Sequence, residues 1–465
     1  MPNNPVIIGA GISGLSAAYY LSKGGSKSTM LDSRPRMGGV IQTDRVQGCT
    51  LEAGPDSFLS AKPAALELIR DLGLSGQVIG SNDRLRVTFV RRHGQLVPLP
   101  DGLMMMVPTK IMPLVTTPLV GWLTKIRMGM ELLRFPRKKS EDQSVSDFIA
   151  DHYGREAVDY LAEPLLSGIY GGDPAALSVS SVLPRFVELA NKYGSLTRGV
   201  LAERAAAARK RGGADSTPPP LFSTLKGGLG QMVDAVSAAI RGKAQMWQTR
   251  AERVERTKTE FKIRIGGDWV QTGQLVVACE AHNAATLLAS LDPRLAELLG
   301  TVAYSSSVTV ALGFDAADFA TPPVGFGFLV PRKERRRVMA CTWVGTKFSN
   351  RVPEGKIVAR CALGGTSDPG VLDESDESIV AAVTGELQDI AGITAVPRFT
   401  RVARWPKSMA QYTVGHAQRM AEIKARVAAI PGLYLAGNAY TGIGIPDCIR
   451  MGRAAAEEIL KSSKG

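Results

Sequence analysis

Short apolar runs alternate along this chain with longer stretches of helical period, the pattern of an α/β protein. Val6-Ile7-Ile8 predicts a buried strand, and residues 15–21 predict an amphipathic helix directly after it. A second apolar run ends at Met30-Leu31-Asp32. From about 100 to 210 the pattern is helical, for example over 145–149 and 157–166, and the Gly- and Pro-rich stretch 212–220 closes it as a linker. Residues 232–240 then predict a helix, and Val254, 261–265, 269–270 and 275–279 predict strands that return to the first region. Between 300 and 400 apolar and polar positions alternate at 308–312, 326–330, 338–344 and 357–361, as in a half-buried antiparallel sheet. Residues 434–436 predict a last strand, and 447–460 a last helix.

The turn between the first strand and helix reads Gly9-Ala10-Gly11-Ile12-Ser13-Gly14. Glycines at this spacing, after a strand and opening a helix, let a pyrophosphate approach the backbone at a helix N-terminus. Asp32 follows about 20 residues on, where a carboxylate meets a ribose hydroxyl and disfavours a 2′-phosphate. The motif alone does not separate FAD from NAD. Ser33-Arg34-Pro35-Arg36-Met37-Gly38-Gly39 comes next. Arg36 offers a bidentate phosphate donor, and Gly38 and Gly39 allow the backbone to come close to a bound ligand. Gly437-Asn438 and Gly442-Ile443-Gly444-Ile445-Pro446-Asp447 near the other end supply a second glycine-rich turn before a helix. Asn438 is open to two roles, bonding a ligand or capping that helix.

Composition narrows the classes. A chain of 465 residues with 45% hydrophobic content holds two or three domains with real cores. Five scattered cysteines and four histidines argue against a disulfide framework or a structural zinc site, and for a reducing compartment. The start predicts no secretory leader. The formal charge of +13 suits nucleic acid, anionic lipid or a polycarboxylate alike. No zinc finger, RNP-like motif or heptad accompanies the basic runs, so no nucleic-acid partner is expected. Residues 103–124 are strongly apolar, but Lys110 and three prolines interrupt them. They predict an irregular lid over the core rather than a spanning helix, with an interfacial surface beside Lys125, Arg127 and Arg134 as the alternative.

The acid followed by Arg-x-Gly-Gly resembles the amine-oxidase superfamily of flavoproteins. Glu52-Ala53-Gly54-Pro55-Asp56-Ser57-Phe58, the run Glu163 to Asp173, and the tail from Ala436 through Ile449 are more specific. Together they resemble the oxygen-dependent protoporphyrinogen and coproporphyrinogen oxidases of haem synthesis, from the first strand to the last helix. Gly227-Gly228, Ala340-Cys341-Thr342-Trp343 and Arg404-Trp405-Pro406 resemble the bacterial, coproporphyrinogen-using branch.

The resemblance implies a Rossmann-type, p-hydroxybenzoate-hydroxylase-like FAD domain with an α+β substrate domain and a helical insertion. It places the FAD domain at 1–85, 215–285 and 400–465, the helical domain at 100–210, and the substrate domain at 86–99 and 286–399. It implies a six-electron oxidation of a porphyrinogen to the porphyrin, with FAD taking hydride in three steps and oxygen leaving as hydrogen peroxide. FAD would be lined by Gly9, Ala10, Gly11, Ile12, Ser13, Gly14, Asp32, Ser33, Arg36, Gly38 and Gly39 from the first turns. Gly54, Pro55, Asp56, Ser57, Val254, Trp405, Asn438, Ile443, Gly444 and Ile445 would complete the set. Gly168, Ile169, Tyr170 and Gly171 would pass beside a pyrrole, with Met339, Trp343 and Ala362 clamping the ring. Thr88, with Arg86 nearby, stands where plant-type members carry an arginine for a substrate propionate. No side chain is assigned as a catalytic base. The expected partners are a porphyrinogen and molecular oxygen, in the cytoplasm, with peripheral contact at the inner face of the membrane and a homodimer left open. Rival classes are an FAD-dependent amine oxidase or carotenoid desaturase, and a dinucleotide-binding regulator without turnover.

Overall fold

The computed structural model describes residues 4–136, 141–211 and 219–463, so most of the 212–220 linker and the run Arg137-Lys138-Lys139 lie outside it. The described chain divides into two compact units. One is built from the segments up to Ser81, Pro220–Tyr304 and from Gln418 onward; the other from Asn82–Pro219 and Ser305–Ala417.

The first unit is organised by a five-stranded parallel sheet in the order Ala244–Gln248, Ser28–Asp32, Val6–Ile8, Leu275–Val277, Leu433–Leu435. Its central strands are wholly buried, which is why they read as continuous apolar runs rather than as alternation. Helix Ile12–Lys23 follows the first strand, and helix Ile445–Ser462 follows the last. Gly452 makes their close packing possible, because a Cβ there would stand 2.1 Å from the Ser13 carbonyl oxygen.

Two sequence expectations change here. The strands Ala251–Arg256, Phe261–Ile265 and Asp268–Thr272 form their own antiparallel sheet, and of the predicted returning strands only Leu275–Val277 joins the parallel one. The edge strand Ala244–Gln248, with mostly half-exposed or exposed side chains, carries no apolar run and was not expected.

In the second unit a seven-stranded sheet runs in the order Phe399–Gln411, Ala303–Asp315, Lys356–Gly364, Ala340–Trp343, Gly327–Leu329, Thr88–Arg92, Gln95–Pro98. One face buries Val308, Val310, Cys341, Cys361 and Leu363 against Ile379, Val383 and Leu387 of helix Asp376–Ala391. The opposite face is covered at one end by the helical segment, where Val90 and Leu329 meet a core that includes Phe148, Tyr153 and Leu166. The predicted strand 338–344 stops at Trp343, and Val344–Lys347 turns as a helix.

Residues 103–124 are more regular than a lid. They hold the strand pair Leu103–Met104 and Val107–Pro108, helix Ile111–Thr116 and the start of helix Trp122–Glu131. Glu131 is buried at the end of that helix. It bonds His152 Nδ1 at 2.9 Å, Ser195 Oγ at 2.7 Å and the Leu196 N–H at 2.6 Å, so it ties its own helix to Val145–Tyr153 and to the start of Leu196–Arg211. Burial raises its pKa, but these hydrogen bonds outweigh burial and hold the carboxyl below the ordinary carboxylate range.

Candidate active site

In the first unit the site is made of backbone. Gly9 has φ +104°, and a Cβ on Gly14 would stand 1.9 Å from the Gly9 carbonyl oxygen, so the turn closes onto the helix only with glycine at both places. Helix Ile12–Lys23 opens at Gly11 with no side chain bonded to its end, leaving its first N–H groups for an acceptor. Two loops come together at this point. Gly11 and Gly38 form a β-bridge, the Gly38 N–H donates to the Ala10 carbonyl at 2.8 Å, and a Cβ on Gly39 would lie 3.0 Å from the Gly11 Cα. A Cβ on Gly11 would have no closer neighbour than Gly39 Cα at 4.0 Å, so the space above the turn is a cradle.

Asp32 and Arg36 are both in place, and both also hold these loops. Asp32 is buried, with Oδ2 accepting from the Ala10 N–H at 2.7 Å and Oδ1 from the Arg34 N–H at 2.9 Å. Each oxygen keeps a lone pair for a ribose hydroxyl. The Arg36 guanidinium donates to the carbonyls of Met37, Ile41 and Gly39, the last at 2.5 Å. Burial and the neighbouring Arg34 lower its pKa. The sequence expectation of a phosphate donor therefore meets an arginine already engaged in shaping the Gly38-Gly39 loop. Ser33 is exposed.

Gly54, Pro55, Asp56 and Ser57 are half-exposed, with Ser57 Oγ donating to Asp56 at 2.7 Å. The preceding Glu52 is buried. It accepts from Thr43 Oγ1 and from the Leu229 N–H, each at 2.7 Å, and so fixes the Gly227-Gly228 turn. Val254 is fully buried, and its carbonyl accepts from Ser290 Oγ at 2.8 Å.

At the second glycine-rich turn, helix Ile445–Ser462 opens on Gly444 with no side-chain cap, and Ile443 and Gly444 are half-exposed beside it. The helix cap is thus Gly444, which removes that role from Asn438. Asn438 Oδ1 instead accepts from Tyr304 Oη at 3.5 Å, and Tyr304 Oη accepts from the Ala281 N–H at 2.9 Å. Lys62 closes the turn through a 2.5 Å ion pair with Asp447. Two uncapped helix N-termini on packed helices, with a small-residue cradle between glycine loops, fit the phosphates and polar ring edge of a dinucleotide. Trp405 belongs to the other unit, half-exposed on strand Phe399–Gln411.

In the second unit, Gly168, Ile169 and Tyr170 end helix Glu163–Tyr170, and Gly171 takes the left-handed C-cap. Gly168 is exposed and Ile169 is 48% exposed, large for an apolar side chain. The turn is pinned from behind. The Tyr170 carbonyl accepts from Gln411 Nε2 at 2.7 Å and from Ser305 Oγ at 3.3 Å, and the Gly171 carbonyl accepts from the Thr366 N–H at 2.9 Å. Both Gln411 and Ser305 are buried. Helix Glu163–Tyr170 is held at its other end by Arg335. Its Nη2 lies 2.8 Å from Glu163 Oε1, 3.1 Å from Ser167 Oγ and 2.9 Å from the Val330 carbonyl.

Met339 is buried close by, its sulfur 3.2 Å from where a Gly365 Cβ would stand. Ala362 is half-exposed on the open face of the sheet. Trp343 is not with them. It lies on the same face as Cys341, 5% exposed in the core beneath helix Asp376–Ala391, so a ring clamp by Trp343 is replaced by a packing role. Alternation gives inward apolar residues but does not say which side of a two-faced sheet is inward.

The comparisons agree with this geometry. The profile of the flavin-containing amine oxidoreductases matches residues 12–460. The chain belongs to that family. Within the flavin-containing amine oxidoreductases it is 35% identical to coproporphyrinogen III oxidase of Bacillus subtilis (strain 168), over 98% of this chain and 97% of the other. It is 28% identical to chloroplastic protoporphyrinogen oxidase 1 of Spinacia oleracea, over 98% and 84% of the two chains. A crystal structure from Exiguobacterium sp. 255-15, provisionally named a protoporphyrinogen oxidase, superposes with a TM-score of 0.88 at 29% identity over 99% of each chain. Putrescine oxidase, at 15% identity and TM-score 0.71, shares the fold. As in other flavin-containing amine oxidoreductases, the parallel sheet is a Rossmann-type FAD-binding domain and the cofactor is FAD.

The residues that sequence reasoning left without a role are Glu163, Ser305, Arg335 and Gln411. Glu163 stood within a quoted motif, and Arg335 within the basic run 332–337, expected to be a solvated loop but 5% exposed at Arg335 because it pairs with Glu163; Ser305 and Gln411 come from strands far away in the chain, with no local pattern to mark them.

Proposed function

We propose that this protein is a porphyrinogen oxidase, converting coproporphyrinogen III to coproporphyrin III with three molecules of oxygen leaving as three of hydrogen peroxide. The observation that carries it is the Gly168-Ile169-Tyr170-Gly171 turn, exposed at Gly168 and Ile169 and anchored by buried polar groups, in a family member with near-full-length similarity to a coproporphyrinogen III oxidase. Bound FAD supplies hydride acceptance and reoxidation by oxygen. The chain supplies the rest. Uncapped N–H groups of helices Ile12–Lys23 and Ile445–Ser462 favour anionic groups of the cofactor, and Gly9, Asp32 and Arg36 shape the loops that hold it. The turn presents the exposed Gly168 and the Ile169 side chain to a macrocycle, with the half-exposed Ala362 as a further apolar contact and Met339 packed behind it. Gly54 to Ser57, Val254 and Asn438 complete the proposed FAD set of the first unit. An assay of purified protein on coproporphyrinogen III and protoporphyrinogen IX in parallel, by porphyrin fluorescence and peroxide, checks this. A rate ratio favouring coproporphyrinogen supports the assignment, and no porphyrin from either removes it.

The protein also rests on a lipid surface in this proposal. No helix among the described residues is long and apolar enough to cross a membrane. Yet Ile111, Met112, Trp122, Leu123, Leu133 and Phe135 are each at least 65% exposed, beside Lys110 and Lys125. An apolar face flanked by cations fits an anionic interface. Co-sedimentation with anionic vesicles, lost on Leu123→Glu with Trp122→Glu, tests it; unchanged sedimentation overturns it.

A further inference from the structure

Helix Trp122–Glu131 has two unlike faces. Thr124, Met128 and Glu131 are buried. Leu123, Ile126 and Met130 are 85%, 55% and 58% exposed, and Leu133, just past the helix end, is 74% exposed. Spacings of three and four residues put these apolar side chains on one stripe. Helix Ile111–Thr116 buries none of its residues, and Ile111 and Met112 on it are 75% and 68% exposed. Lys125 joins the two helices: its Nζ donates to the Val115 carbonyl at 2.7 Å and lies 4.6 Å from the centre of the Trp122 ring.

Two methionines therefore stand open on the face proposed above to meet lipid. A thioether is the apolar side chain that a single oxygen atom turns polar, whereas Leu and Ile on the same stripe resist mild oxidants. Met128, two residues before Met130, is 1% exposed, and Met106 is fully buried, so neither is open to attack. Met104 and Met105, each 38% exposed, belong to the strand turn that precedes these helices. Hydrogen peroxide, which the proposed reaction releases, is a sufficient oxidant. The sulfur attacks one peroxide oxygen, and the S–O bond forms as the O–O bond breaks. Sulfur loses two electrons, and the second oxygen leaves as water with the proton of the transferred hydroxyl.

Building on the lipid-surface reading, we propose that Met112 and Met130 are oxidation sites for hydrogen peroxide, and that their sulfoxides release the protein from an anionic lipid surface. A face that binds by burying apolar area loses that area where an S=O group must stay hydrated. The cations beside it are unchanged, so the loss falls on the apolar part of the contact. Methionine sulfoxide reductases, one for each epimer, reverse the step.

The test treats purified holoprotein with hydrogen peroxide, removes the excess with catalase, and then sediments the protein with vesicles of phosphatidylglycerol and phosphatidylcholine. Wild type and the double variant Met112→Leu with Met130→Leu are each compared with their own untreated sample at equal flavin content, and peptide masses locate the added oxygen. Met112 and Met130 are expected to gain oxygen before Met128 and Met106. The partition of wild type onto vesicles then falls at least about tenfold, that of the double variant stays within about twofold, and the two reductases restore wild type. Partition of wild type within about twofold of its untreated value when both sites carry oxygen overturns the inference. So does an equal fall in the double variant, or oxygen gained at Met128 as fast as at Met130. Untreated wild type that does not sediment overturns the lipid-surface reading, and this inference with it. Because the peroxide is added, none of these outcomes bears on the porphyrinogen assignment, which is read from turnover.

Discussion

The two units present sites built in opposite ways. At the glycine loops of the first unit nearly every contact is made by backbone: N–H groups at helix ends, N–H groups held by Asp32, and carbonyls held by Arg36. In the second unit the work falls to side chains gathered from distant strands and a turn: Ser305, Gln411 and Arg335. A backbone site needs a fixed local spacing of glycines, which survives as a motif. A side-chain site needs only that strands arrive in register, which leaves no local trace. This difference explains why one unit announces its chemistry and the other does not.

The first unit should therefore tolerate no added atoms. Gly14→Val puts a branched side chain where a Cβ alone would meet the Gly9 carbonyl at 1.9 Å. We expect a loss of more than about 4 kcal/mol of stability and of bound flavin, seen as a colourless or insoluble product. A yellow variant with an unchanged melting temperature would show that the turn is not as tightly closed as described.

The second unit should instead fail through unpaired charge. Glu163→Ala leaves the Arg335 guanidinium, whose side chain is 5% exposed, without its carboxylate. A loss of about 3–5 kcal/mol is expected, with activity falling further than flavin content because the Gly168 turn loses its anchor. Equal falls in both would break the contrast between the units.

Glu131 gives the same unit a pH signature. Its folded pKa is held below the ordinary value, so its contribution is present above about pH 4.3 and is lost as the pH falls through the depressed folded value. Glu131→Gln should destabilise by about 3 kcal/mol at neutral pH and flatten the acid limb of the melting-temperature profile. A variant with the wild-type acid limb would show that Glu131 is not its source.

The smallest effect is expected at Trp343. Because it faces the core beneath helix Asp376–Ala391, Trp343→Phe should cost about 1–2 kcal/mol and leave KM within about twofold. A large rise in KM would return Trp343 to the substrate.

How much was legible follows from the same contrast. The strand, turn and helix from Val6 to Lys23 could be read because the strand is fully buried and the glycines are invariant in what they must do. The strand Ala244–Gln248 could not, since Trp247 and its neighbours are largely exposed at a sheet edge and show neither alternation nor an apolar run. The alternation of 338–344 located a strand correctly but left its buried side open, which is where Trp343 was misplaced. Residues 103–124 hid helices behind prolines that fall at helix starts and between segments, as Pro113 does early in Ile111–Thr116.

The central claim is that the backbone-built site holds a flavin that takes electrons from a porphyrinogen. The most direct measurement mixes purified holoprotein with coproporphyrinogen III without oxygen and follows the flavin absorbance, with putrescine as the control. The account predicts bleaching by the porphyrinogen, recovery of the yellow colour with peroxide when air is admitted, and no change with the amine. Bleaching by putrescine alone, or none by the porphyrinogen, would contradict it.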